Sequence, residues 1–200
     1  MIVLDHIAVS AATLEAGVAH VKTQLGHGMG PGGFHDRMGT HNRLSGMAGG
    51  EYLEVIAVDP AASRPDRPRW FDLDRQSGPP RLSNWIARVD DLDAAVAAHP
   101  EAGVPVALTR GPYRWRMAVP ADGILPFDGC FPALIQWDSD PPSFPESGLA
   151  LTRLSLTHPD ADALRDRLSR LIDDPRVVVA AGPPGLAAEV ETPDGPRTLT

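Results

Sequence analysis

Two side chains stand out against apolar surroundings in the first third of the chain. His6 lies in Leu4-Asp5-His6-Ile7, and Glu54 lies in Tyr52-Leu53-Glu54-Val55-Ile56. A carboxylate in such a run is costly to bury without a cation, a proton or a hydrogen-bond donor. Glu54 therefore points either to a pocket or to a salt bridge, for which Arg43 is the candidate. His6 reads as a hydrogen-bonded core residue or as part of the same pocket. Imidazole and carboxylate are ordinary ligands for Zn, Fe, Mn or Ni. Without a metal, a desolvated Glu54 has a raised pKa and is suited to abstract a carbon-bound proton. A third ligand depends on a hairpin. If Met47 pairs with Gly50, Arg43 lies opposite Glu54 and His41 opposite Ile56, on the face that carries Glu54. His6, His41 and Glu54 would then make a two-histidine, one-carboxylate metal centre. A slip of one residue turns His41 away.

These residues need elements to position them. Residues 2–9 read as a strand. Thr13 is placed to cap a helix in which Leu14, Val18, Val21 and Leu25 share a face, and Gly26 stops it. The glycine-rich loop 28–33 lacks the order of a phosphate loop and suits a bent loop over a pocket mouth. Residues 40–47 and 52–58 read as a hairpin across Ala48, Gly49 and Gly50. A connection rich in Pro, Arg and Asp follows at 59–80, and its Trp70 and Phe71 are expected to pack back on the body. The pattern then restarts, with a strand at 82–89, a helix at 92–99 and strands at 104–108, 114–119 and 131–137. His6 to Leu14 spans the same eight positions as Asn84 to Leu92, which marks an internal duplication. Residues 151–157, a helix capped near Asp160 and two further strands read as a truncated third βαββ unit covering an edge or extending a sheet. The fold class is α+β: units at 1–58, 81–139 and 150–200 are packed as one body, with 59–80 as the connection.

Arg114 and Arg116 alternate with Trp115 on one strand, so both guanidiniums share a face that either receives a substrate carboxylate or meets solvent. Trp85, Trp115 and Trp137 fill the core or a subunit interface, or line an apolar pocket. The 200 residues carry 18 basic and 26 acidic side chains, a net charge of −8, and the arginines form no stripe, so nucleic acid is disfavoured as a partner. No segment approaches 18 uninterrupted apolar residues and the N-terminus has no basic region, which makes a membrane unexpected and the cytoplasm the expected location. Cys130, the single cysteine, permits no intrachain disulfide and reads as a small buried hydrophobe. Covalent acyl chemistry has no support in a G-x-S-x-G elbow or a Cys-His pairing.

Strand, helix and three strands, repeated, with Leu4-Asp5-His6-Ile7, Gly39-Thr40-His41-Asn42, Tyr52-Leu53-Glu54, Leu125-Pro126-Phe127, Leu134-Ile135-Gln136-Trp137 and Glu191-Thr192-Pro193-Asp194-Gly195, resembles the vicinal oxygen chelate superfamily, in its glyoxalase-like version. The resemblance implies duplicated βαβββ modules forming a cupped mixed sheet around a divalent metal, with ligands from the first and last strand of each module. His6 and Glu54 match the first module. Their second-module counterparts, Asn84 and Gln136, are neutral amides, weaker ligands that could instead orient a substrate carbonyl or hydroxyl. Also implied is a small-molecule enzyme of lyase, isomerase or dioxygenase type, with Glu54 moving the proton. A metal-free binding protein using the same cup is the alternative, and a homodimer is compatible with either.

Overall fold

Thr13 and Gly26 bound α1 (Leu14–Leu25) by the chemistry their types suggest. Thr13 Oγ1 accepts from the amide of Ala16 at 3.2 Å, and Gly26, left-handed at φ 70°, donates its amide to Lys22. A computed structural model describes residues 2–145 and 147–200. Its first unit comprises β1 (Val3–Ser10), α1, β2 (Phe34–His35), β3 (Thr40–Gly46) and β4 (Tyr52–Val58). The second comprises β5 (Arg81–Arg88), α2 (Leu92–Ala98), β6 (Val104–Arg110), β7 (Tyr113–Val119) and β8 (Ala133–Trp137). The third comprises β9 (Ala150–His158), α3 (Ala161–Ser169), β10 (Val177–Ala181), β11 (Gly185–Thr192) and β12 (Gly195–Leu199).

The first two units share one eight-stranded sheet in the order β2-β3-β4-β1-β5-β8-β7-β6. It curls until its edges approach, where Arg37 just after β2 donates to the carbonyl of Ala107 on β6 at 3.0 Å. The sheet is thus nearly a barrel. Alternation along the strands sorts the apolar residues onto two faces. Ala8, Ile56, Ile86, Val106, Met117 and Ile135 line the inside. Ile7, Val9, Leu53, Val55, Trp85 and Leu134 face outward under the helices and the C-terminal unit. Trp70, Phe71 and Leu73 of the 59–80 connection are buried inside the cup with the first group. The aromatic pair does return to the body, and it does so as a plug.

The C-terminal unit goes one strand beyond the βαββ pattern and extends no edge. It forms its own sheet, ordered β10-β9-β11-β12, and Leu154, Leu156, Ala188 and Val190 join the outer core. Arg176 ties it to the first unit through both oxygens of Glu51, at 2.5 and 3.0 Å. The cap expected at Asp160 makes no side-chain bond to α3.

The β3–β4 register corrects the hairpin assumed from the sequence. Gly46 pairs with Tyr52, Leu44 with Glu54 and Asn42 with Ile56. The turn holds three residues, Ala48 to Gly50, and both glycines are left-handed, at φ 78° and 81°. A pairing of Met47 with Gly50 would leave room for only two. The extra residue moves Asn42 to the inner face and His41 with Arg43 to the outer one.

Two β-bulges interrupt the β1–β5 pairing, with Asp5 as the additional residue on β1 and Ser83 as the additional residue on β5. They are equivalent positions of the duplication, each immediately before the matched pair His6 and Asn84. Each bulge side chain bonds its neighbour, Asp5 to His6 at 2.7 Å and Ser83 to Asn84 at 2.6 Å. Each also meets the far end of the opposite strand, Asp5 with Arg88 at 3.8 Å and Ser83 with Ser10 at 2.6 Å. The duplication therefore has a charged end and a neutral end.

Candidate functional site

At the charged end the bulge lets consecutive residues serve one cluster. Asp5 Oδ1 lies 2.7 Å from His6 Nδ1, and His6 Nε2 lies 3.4 Å from Glu54 Oε2. Asn42 donates to Glu54 Oε1 at 2.6 Å and meets His35 Nε2 at 3.3 Å, while His35 Nδ1 faces Thr40 Oγ1 at 3.0 Å. Trp137 donates its indole N–H to Asp5 Oδ2 at 3.1 Å. Tyr52 stacks on the His6 ring, with centroids 4.1 Å apart. Asp5, His6, His35, Asn42 and Glu54 are all buried. Such a network is tolerable inside a protein because its members satisfy one another.

Burial and pairing pull these groups in opposite directions. Burial raises Glu54, but the bond and charge of His6 overcome it and hold the carboxyl at about 2. Burial lowers His6, and the bonds to Asp5 and Glu54 overcome that to raise it above its ordinary value. Asp5, also opposed by burial, is lowered by His6 and Trp137. His6 thus sits between two carboxylates that both favour its protonated form. For His35 burial outweighs the charge of Glu54 and pushes the ring down to about 4, so the ring beside Glu54 is neutral.

The signs fix how this site contributes to stability with pH. His6, raised in the fold, contributes fully below its ordinary 6.5, and that contribution is lost as pH climbs through its raised value. His35, depressed to about 4, opposes folding progressively as pH falls from 6.5 towards 4, because only the unfolded chain takes up the proton there. Glu54 adds stability above its ordinary 4.5 that disappears as pH falls through about 2. The site's contribution should therefore peak near pH 6.5. Urea midpoints of the wild type and of His35→Gln between pH 3 and 9 check this, with the variant expected to lose less stability between 6.5 and 4 than the wild type.

The other residues singled out from the sequence are placed as follows. His41 and Arg43 lie on the outer face of β3, opposite Ala57 and Val55 of β4, so neither joins Glu54. Among the described residues no three His, Cys, Asp or Glu side chains are grouped to hold a metal ion. His6 Nε2 and Glu54 Oε2 are two strong donors turned toward each other, which falls short of the triad expected with His41. Asn84 faces inward at the neutral end, bonded to Ser83 and Ser10, beside a cavity of about 130 Å³. Gln136 points outward and caps α2, accepting from the Leu92 amide and from Arg116, each at 2.8 Å. It is not the counterpart of Glu54. With His6 matched to Asn84, Ala8 matches Ile86; the strand partner of Ala8 is Glu54 and that of Ile86 is Ala133, so Ala133 holds that place.

Arg116 pairs with Asp93 at 2.8 Å on the outer surface, and Arg114 is exposed beside it. The face they share is the one away from the cup, because Trp115 between them points in. Trp85 is fully buried under the outer core and donates to the Cys130 carbonyl at 2.9 Å. Residues that the sequence reading left out complete the cluster: Asp5, His35, Asn42, Tyr52 and Arg110.

Two cavities share Arg110 as a wall. A small one of about 20 Å³ is lined by His6, Glu54, His35, Trp70, Trp115 and Arg110 among others, with room for about one water-sized group. A larger one of about 520 Å³ opens beside it, walled by the glycine-rich loop, Leu44, Tyr113, Phe144 and again Arg110. The loop lies flat on β3: a Cβ at Gly32 would come within 1.8 Å of the Asn42 carbonyl oxygen. It forms the wall of the mouth, as its composition suggested.

No helix among the described residues is long and apolar enough to cross a membrane. Among curated proteins none matches the sequence. A hypothetical protein from Staphylococcus aureus shares the fold with a TM-score of 0.64 at 12% identity, over 92% of this chain and 88% of that one, an extent that takes in the C-terminal unit. Methylmalonyl-CoA epimerase from Mycobacterium tuberculosis aligns with a TM-score of 0.44 at 20% identity, over 69% of this chain and 88% of its own. The profile of the glyoxalase-like domain matches residues 4–172. With its two βαβββ units in one cupped sheet, the chain belongs to the glyoxalase-like domain family of the vicinal oxygen chelate superfamily.

Proposed function

We propose that this protein is an enzyme that moves a proton at a carbon next to the carbonyl of a small organic molecule. Glu54 is the base and His6 the acid that holds the developing enolate oxygen. The observation that carries the reading is the buried His6–Glu54 pair at a cavity wall, in which burial and pairing act oppositely on Glu54. A substrate carbonyl that takes the Nε2–H of His6 removes the bond that depresses Glu54. Burial is then less fully offset, and the carboxylate becomes a stronger base at the moment it is needed. The proton passes from carbon to Glu54 Oε2, and the enolate charge is met by the imidazolium, whose Nδ1 stays fixed by Asp5. Return of the proton to the same or a neighbouring carbon completes an isomerisation or epimerisation.

Proton NMR in D2O with a set of 2-oxo acids and 2-hydroxy ketones tests this. Exchange of the α-hydrogen with solvent, unchanged by chelator, is the expected result. If no member exchanges and none shifts the His6 ring resonances, the proposal fails. A second reading makes His6 and Glu54 ligands of a divalent metal, and one observation favours it: a carboxylate on Nδ1 is the arrangement found behind metal-bound imidazoles. Exchange that stops on chelation and returns with Zn, Fe, Mn or Ni would select it.

A further inference from the structure

We propose that the substrate is an organic acid with an apolar body, its carboxylate held by Arg110 and its body in the larger cavity. This rests on the reading of His6 and Glu54 as the reacting end. Arg110, at the end of β6, lines both cavities, so a group bound to it can face either one. Its stem lies against the glycine-rich loop, where a Cβ at Gly33 would come within 2.7 Å of Arg110 Cδ. Its guanidinium carbon sits 5.6 Å from the centre of the Tyr113 ring. The residue is half-buried and positioned, yet it makes no ion pair with a described carboxylate. Its charge reaches His35, which burial already pushes down and Arg110 lowers further, and Tyr52, which burial raises and Arg110 pulls back.

A planar guanidinium held this way matches a carboxylate through two parallel hydrogen bonds. A second, independent observation points to an oxygen-rich ligand end. The indole N–H groups of Trp70 and Trp115, both on the wall of the small cavity, are buried with no acceptor among the described residues. Buried donors of this kind cost free energy unless something accepts from them. The larger cavity has the opposite character. Its wall is mainly carbon, from Leu44, Phe144, Pro31 and Pro142, and its volume of about 520 Å³ is that of an ordinary small-molecule site. Acceptor oxygens at one end and an apolar body at the other describe one molecule.

The probe is 4-phenylbutanoate, which has the acid and the body and no activated carbon, so its binding is independent of turnover. Calorimetric titration of the wild type with this acid and with its methyl ester should show the acid binding at least about tenfold more tightly. Arg110→Gln should weaken the acid about tenfold and leave the ester unchanged, with an unaltered melting temperature. Arg114→Gln should change neither. Equal binding of acid and ester, no binding of either, or a loss in Arg114→Gln matching that in Arg110→Gln would overturn the assignment. Arg110-dependent binding of the acid, with no exchange in any 2-oxo acid, would instead remove the catalytic reading and leave this one standing.

Discussion

Glu54→Gln is expected to lower proton exchange by about 10² to 10⁴-fold, the range typical for removing a positioned general base. The amide keeps the shape and one acceptor, so Asn42 and His6 retain neighbours, but the negative charge is gone. Both the bond and the charge of Glu54 raise His6. The imidazole pKa should therefore fall in the variant, a change that NMR titration of the ring reads without any substrate. The two measurements separate roles. Lost exchange with a lowered His6 pKa fits a base coupled to its acid. Retained exchange would place the chemistry elsewhere, however closely the pair is joined in the resting protein.

Trp70→Ala carries the largest expected effect on stability, about 3–5 kcal/mol, as for other buried aromatic truncations. At this chain length that lowers the melting temperature on the order of 10 °C. Trp70 is 3% exposed inside the cup and stacks on Phe71 with centroids 5.1 Å apart. The stack also holds a turn that is otherwise unfavourable, because Phe71 and Asp72 both take left-handed conformations, at φ 57° and 56°. Two such residues cost of order 1–3 kcal/mol each. Added indole should refill the space and raise the melting temperature of the variant but not of the wild type. A melting temperature within about 2 °C of the wild type, under 1 kcal/mol at this size, would mean that the plug contributes little.

The elements were legible because their signals are local. Thr13, Gly26, the leucine spacing of α1 and the repeat from His6 to Asn84 each need only a few neighbouring residues to be read. His6 and Glu54 were legible for a related reason, since each is a polar group in an apolar run. What failed depended on register. One residue in the Ala48–Gly50 turn decided between His41 and Asn42, and no pattern along the chain distinguishes a two-residue turn from a three-residue one there. Asp5 was hidden by the bulge, which breaks the alternation that would have turned it away from His6. Gln136 falls outside the place expected of it because the alignment of β4 with β8 is set by their pairing with β1 and β5, which similar apolar runs do not reveal. Arg110 had no signal of its own. It matters through the two cavities it borders, and these exist only after the sheet has curled and brought β6 toward the glycine-rich loop.

The plug also bears on how members of such a family could diverge. In this chain the segment between the two duplicated units supplies Trp70, Phe71 and Leu73 to the interior, so the linker behaves as a covalently attached occupant of the space the strands enclose. Its side chains are not bound by strand pairing, and exchanging them leaves the sheet's hydrogen bonds untouched. The capacity of the barrel is thus set by a loop and the chemistry by the strands. Selection could resize one without redesigning the other, provided that what is trimmed from the loop is replaced by something that binds.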